Sequence, residues 1–274
     1  MTVINTNINA LRAQNASRVA NKALGTAMER LSSGKRINGA KDDAAGMAIS
    51  TRMDARVRSM TQAIRNSNDG ISVTQIADSA LGEIANILVQ LRELAIQAAS
   101  GTLSDVDRDA INRVSSEYVD QIDDISYRTE FNDKQLFGGD YVYGDGLIIH
   151  TGIDRDENLR IDMEEMSANA LYIESLSYYD EGAANTTLYY IKNAMDVVAA
   201  QRANVAAFQN RLETNVNHLT AAVTNMTEAK SRIVDADFAV ESTKLATAQV
   251  LAQASTAMLA QANQNQQDVL NLLR

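Results

Sequence analysis

The sequence predicts a mainly α fold: a long antiparallel helical bundle or coiled coil with a small β-hairpin region and both termini at the same end. Three observations carry that prediction. The 274 residues contain no Pro, where a usual frequency of about 5% would give roughly a dozen, and Pro is the residue that breaks helix interiors. Ile191, Val198, Val205, Leu212, Leu219, Met226 and Ile233 fall seven residues apart without a miss, the spacing of a coiled-coil seam. One central stretch exchanges that spacing for Gly-punctuated runs and two-residue alternation, the pattern of strands with one wet face.

The elements follow in order. Ile4, Ile8, Leu11, Val19, Leu24, Met28 and Leu31 predict an N-terminal helix whose polar face is mostly Asn, Gln and Ser. In the next helix, Met53, Val57, Met60, Ile64 and Ile71 form one stripe. Val73, Ile76, Ala80, Ile84, Ile87, Leu91, Leu94 and Ala98 form a second, and two overlapping stripes predict neighbours on more than one side. Gly70 and Gly82 lie inside this helix at a cost of ~1 kcal/mol each against Ala, which predicts close backbone approach or a slight bend. Ser100-Gly101 should end it, with Gly101 in the left-handed cap conformation. Ser104 followed by Asp107 reads as a new N-cap. The helix it opens carries Ile111, Val114, Tyr118, Ile122 and Ile125 and ends before Phe131-Asn132-Asp133.

From about 136 to 175 the pattern predicts the hairpin region. Tyr141-Val142-Tyr143 and Leu147-Ile148-Ile149 read as strands, Leu159, Ile161 and Met163 alternate with charged residues, and Asp154–Asn158 is the expected turn. Residues 175–188 read as a loop into the long helix of 190–233, on the order of 65 Å at 1.5 Å per residue, with Met195, Val216 and Val223 at its second seam position. The tail places Leu245, Leu251, Met258, Leu259, Val269, Leu270, Leu272 and Leu273 among Ala, Gln, Ser and Thr. Residues 239–274 hold eight Ala and only four charged residues. Isolated helices of this kind are marginal in water, so the two end helices are expected to pair with each other and with copies of themselves.

Composition excludes several functions. With no Cys there is no disulfide, thiolate metal site or thiol nucleophile. Residues 1–60 hold ten Lys/Arg against four Asp/Glu, and residues 101–181 hold six against twenty. An acidic centre argues against nucleic acid, which needs a concentrated basic face. The opening MTVINTNINALR lacks the apolar run of a secretory signal, and no stretch approaches the ~20 apolar residues of a membrane span; export would use another route. Asp154, Asp156, Asn158, Asp162 and Glu165 imitate a calcium loop, but Leu159 stands where that loop wants Gly and strands flank it. His150 and His218 are too isolated for a metal set or a triad, and no phosphate-binding fingerprint is present. No catalytic residue, metal or cofactor is expected; the chain reads as a non-enzyme.

Several motifs resemble those of bacterial flagellins: Ile4-Asn5-Thr6-Asn7 with Asn9-Ala10-Leu11, Leu31-Ser32-Ser33-Gly34-Lys35-Arg36-Ile37-Asn38, and Ala40-Lys41-Asp42-Asp43-Ala44-Ala45-Gly46. Arg92-Glu93-Leu94-Ala95, Thr129-Glu130-Phe131-Asn132, Ser231-Arg232-Ile233-Val234-Asp235-Ala236-Asp237-Phe238 and Asn271-Leu272-Leu273-Arg274 agree. The resemblance covers roughly 1–137 and 190–274. It implies an extracellular structural subunit that polymerises into the flagellar filament, in a minimal form with inner (D0) and next (D1) layers only. Residues 1–33 and 239–274 would be the D0 terminal helices, 34–46 and 234–238 the connectors, and 47–233 the D1 helices with their hairpin region. The implied D0 polymer interface is Ile4, Ile8, Leu11, Leu245, Leu251, Met258, Leu259, Leu272 and Leu273. The partners implied are other copies of the chain, flagellar cap and hook-associated proteins, the type III export apparatus and a flagellin chaperone. The family's innate-receptor surface, read by Toll-like receptor 5, maps to Gln90, Arg92, Glu93 and Leu94. Gln90 stands where recognised flagellins tend to have Arg, and Gln lacks the charged fork, a departure that counts against recognition. The alternative reading is a hook–filament junction protein of the same helical type.

Overall fold

The computed structural model describes residues 6–138, 141–142 and 146–271. It divides into two compact units, residues 1–57 with 224–274 and residues 58–223. Helices α1 (Ile8–Ser33), α2 (Ala44–Ala98), α3 (Asp105–Arg128), α4 (Glu181–Val234) and α5 (Phe238–Asn271) account for most of the chain. Between α3 and α4 lie β1 (Glu130–Phe131), β2 (Lys134–Gln135), β3 (Leu147–His150) and β4 (Asn158–Ile161). The predicted mainly α class with small antiparallel hairpins is what forms.

The first unit is built on α1 and α5. The Asn7 side chain caps α1 by accepting from the Ala10 N–H, and Gly34, at φ +67°, ends it in the left-handed region that Gly enters at no steric cost. The two connectors then pair. Lys35 bridges Asp235 in antiparallel fashion, the Arg36 N–H donates to the Val234 carbonyl at 2.6 Å, and the Ala236 N–H donates to the Gly34 carbonyl at 3.0 Å. Ile37 is buried, and the Asp42 carboxylate accepts from the Asn38 and Gly39 amides. Those amides hold the Asp42 carboxyl below its ordinary pKa. Asp237 opens α5 by accepting from the Ala239 and Val240 amides.

The second unit packs α3 and parts of α2 and α4 around one core with the hairpin region. On α2 the inward positions are Ala77, Leu81, Ile84, Leu88, Leu91, Ala95 and Ala98. Ile76 is exposed there, contrary to the second predicted stripe, because the burial follows the row through Ala77 and Leu81 one position on. On α3 the buried row is Arg108, Ile111, Ser115, Val119, Ile122 and Ser126, so Val114 points outward. The predicted Ser104 cap forms as a reciprocal capping box with Asp107. Arg108 enters the core because its guanidinium closes the end of α2, donating to the Ala98 carbonyl and, at 3.0 Å, to that of Ser100. That cation supplies the C-cap expected of Gly101, whose backbone is not left-handed; a side chain at Gly101 would instead meet Glu181.

The long helix starts earlier than its heptads alone suggest. Asp180 accepts from the Ala183 N–H at 2.6 Å, so α4 begins at Glu181 and the residues read as a loop through 188 are its first turns. The seam from Ile191 through Leu219 is buried, whereas Met226 and Ile233 are half-buried. The second seam position lies three residues on, at Ala194, Gln201, Phe208 and Asn215, rather than four. Met195, Val216 and Val223 are half-buried at its flank. The non-helical segment packs on the side of Gln201 and Asn215, which is what draws that row inward.

That segment begins with a hairpin the alternation pattern does not announce. β1 pairs with β2 around Asn132 and Asp133, both at positive φ, the conformation of a two-residue hairpin turn. Tyr141 and Val142 lie in a turn rather than a strand, and Tyr143 lies outside the described residues. β3 pairs with β4 with Ile149 opposite Leu159, as the alternation predicts. In the turn, the Glu157 carboxylate accepts from the Ile153 and Asp154 amides, and these bonds, Asp154 first, hold it below its ordinary pKa. Gly70 is where β3 meets α2: a Cβ there would stand 2.2 Å from Ile149 Cδ1 and 3.1 Å from Leu212 Cδ1. Gly82 makes no such approach, having nothing within 4 Å of its missing Cβ.

Candidate self-association surface

The contact between α1 and α5 is made by small residues. Ala13, Ala20 and Ala27 are buried on α1, seven apart, and Glu241, Ala248 and Ser255 are buried on α5, also seven apart. Two antiparallel helices touching through Ala and Ser can approach closely, but they bury little apolar area. The Asn7 amide donates to the Ala262 carbonyl at 2.9 Å near one end of this contact. Near the other, Glu241 accepts from Arg30 at 3.3 Å and from Lys244 at 2.8 Å. The Lys244 hydrogen bond first, then the two cations, keep the Glu241 carboxyl ionised below its ordinary pKa.

Several large apolar side chains are left outside, while Leu24, Leu31, Leu245 and Leu259 are half-buried. Exposure is 52% for Leu11, 65% for Val19, 58% for Met28, 65% for Val250, 53% for Leu251 and 63% for Met258. Two open grooves run along the pair. One of about 510 Å³ is lined by Arg12, Ala13, Ala16, Leu251, Met258 and Gln261 among others. The second, of about 530 Å³, lies between Val19, Ala23 and Ala27 on α1 and Lys244, Thr247 and Leu251 on α5. Contiguous exposed apolar surface of this kind marks an association site.

Of the expected interface residues, Ile8, Leu11, Leu251 and Met258 are exposed, whereas Leu245 and Leu259 are half-buried. Ile4, Leu272 and Leu273 lie outside the described residues. The Ala seam carries no signal in side-chain size, although Ala13, Ala20 and Ala27 repeat at seven. On α2, Gln90, Arg92 and Glu93 are exposed and Leu94 is half-buried against the core. The acidic turn at 154–165 is occupied with its own bonds, including Arg160 to Asp162 at 2.6 Å. Among the described residues no group of three or more His or acidic side chains could hold a metal ion.

Residues 4–141 match the family model of the bacterial flagellin N-terminal helical region, and residues 188–273 match that of the C-terminal helical region. The chain belongs to the bacterial flagellins. Across 99% of both chains it is 40% identical to a flagellin of Bacillus subtilis (strain 168). It is 37% identical to a flagellar filament core protein of Brachyspira hyodysenteriae, over 99% of this chain and 100% of that one. Its fold is similar to the crystal structure of Bacillus cereus flagellin, with a TM-score of 0.51 and 29% identity over 61% of this chain and 94% of that one. Flagellins and filament core proteins are the relatives found, which does not favour the hook–filament junction alternative. As a flagellin the chain is a structural filament subunit.

Proposed function

We propose that the α1–α5 pair is the polymerisation interface of this filament subunit and packs against the same pair of neighbouring copies. The observation that supports this is the inversion of burial on the two helices: alanines face each other, and Leu11, Met28, Leu251 and Met258 face outward. Each such side chain, already part-covered, gains roughly 1 kcal/mol when a neighbour covers the rest, and that gain offsets the entropy of ordering helices that are marginal alone. In this reading residues 1–33 and 239–274 form the inner layer, 34–46 and 234–238 the paired connectors, and 47–233 the next layer. Subunits would leave the cell through the type III apparatus with a chaperone, without a cleaved signal, and would meet cap and hook-associated proteins at the filament. A chain free of Cys suits unfolded passage, because no bridge can trap it. No helix among the described residues is long and apolar enough to cross a membrane.

The test is Leu11→Asp and Met258→Asp, separately and together. Both sites are exposed in the single chain, so helix content and melting should stay as in the parent. The critical concentration for filament growth, read by sedimentation, should rise at least tenfold per substitution. Growth at the parental critical concentration would refute the interface. For the receptor surface, we propose weak recognition through Gln90. A receptor-reporter assay should give a stronger response with Gln90→Arg than with the parent, and equal strong responses would refute that reading.

A further inference from the structure

Three polar side chains sit in the core-facing row of α4 at intervals of fourteen residues: Thr187, Gln201 and Asn215. Between them the same row carries Ala194 and Phe208. Thr187 and Gln201 are buried and Asn215 is half-buried. Each reaches the backbone of the non-helical segment. The Thr187 hydroxyl donates to the Ser177 carbonyl at 2.9 Å and accepts from the Ser177 N–H at 3.3 Å. The Gln201 amide donates to the Asp162 carbonyl at 3.3 Å. The Asn215 amide donates to the Thr151 carbonyl at 2.8 Å and to Ser67 Oγ on α2 at 3.3 Å. The partners run 177, 162, 151 as the helix runs 187, 201, 215, so residues 151–177 run overall antiparallel to α4 and are pinned at points about 21 Å apart along its axis.

We propose that Thr187, Gln201 and Asn215 are a register lock that selects where residues 147–178 seat on α4. The apolar contacts cannot make that selection alone. Along β4 and beyond, Leu159, Ile161 and Met163 alternate, so a two-residue slip still turns apolar side chains inward. A slip moves every one of the three carbonyls away from its donor, and Thr187 and Gln201 are buried, where a donor left without a partner is costly. Gln201 Oε1 already has no partner although buried. A residue kept in the core with half its polar capacity unmet is a poor choice for stability and a good one for specificity, as with polar residues at core positions of coiled coils.

The test uses apolar replacements of similar size in the full chain: Thr187→Val, Gln201→Met and Asn215→Leu, singly and combined. Amide hydrogen exchange and isoleucine methyl NMR of Ile149 and Ile161 are the readouts. In the triple variant exchange over 147–161 and 173–178 should rise about tenfold and each methyl should give more than one resonance. Exchange over 84–95 and 191–198 should stay within twofold of the parent. Asn215→Leu alone should act on 147–153, and Thr187→Val alone on 173–178. Single methyl resonances with unchanged segment exchange would overturn the lock. A parallel acceleration of all the helices would also overturn it, by showing that the three residues supply general stability and no register.

Discussion

At the scale of single residues, the two glycines inside α2 have opposite roles. A methyl at Gly70 would collide with Ile149 and Leu212, and overfilled cores lose about 1–3 kcal/mol. Gly70→Ala should therefore lower the unfolding free energy of the second unit, read from denaturant melts, by up to about 2 kcal/mol after the ~1 kcal/mol that Ala gains as a helix former. Gly82→Ala should raise it by up to ~1 kcal/mol, since open space surrounds that position and Ala is the better helix former. Arg108 has a comparable weight. Its guanidinium satisfies two carbonyls at the end of α2, and Arg108→Met should cost about 2–3 kcal/mol in the same measurement.

Glu241 makes a pH prediction at this scale. Its folded pKa lies below the ordinary value, so its contribution is fully present above the ordinary glutamate range and fades as the pH falls through the folded pKa. The helical signal of the first unit should weaken as the pH falls below the ordinary glutamate range. Glu241→Gln should flatten that dependence, as followed by circular dichroism.

At the scale of elements, what was legible in the sequence depended on side-chain size. The seam of α4 was legible because Ile191 through Leu219 are large and periodic. The Ser104 cap was legible because a capping box is a local chemical pattern. The α1–α5 contact was not, since it is made by Ala13, Ala20, Ala27 and Ala248, residues that elsewhere simply favour helix. Nor was the end of α2, where Arg108, in the first turn of α3, folds back onto the Ala98 and Ser100 carbonyls and takes the place expected of Gly101. Of the expected interface, Ile8, Leu11, Leu251 and Met258 were readable as apolar. Their outward direction was not, because direction is set by which residues the partner helix accepts. The close seam leads to a further expectation: Ala20→Leu should force α1 and α5 apart and cost about 1–3 kcal/mol in the first unit. A probe confined to α1, such as exchange of its amides, would read that loss.

At the scale of the whole molecule, each unit has a different source of stability. The second unit buries Leu, Ile, Met and Phe within one chain. The first leaves Leu11, Met28, Leu251 and Met258 exposed, and in the proposed interface neighbouring copies cover them. Removing residues 240–274 should abolish filament growth, measured by sedimentation, while the melting transition of the second unit persists. Filaments of normal length from the shortened chain would contradict the role proposed for α5.

The bridge between Lys35 and Asp235 also sets an order in time. It joins points about 200 residues apart, and contacts that distant form late in folding, after local ones. The first unit draws on both ends of the chain, so a chain delivered end-first cannot complete it until its last helix arrives. All residues of the second unit have been delivered by then. The sticky face thus comes into being last, and an incompletely delivered subunit has no assembled surface with which to aggregate.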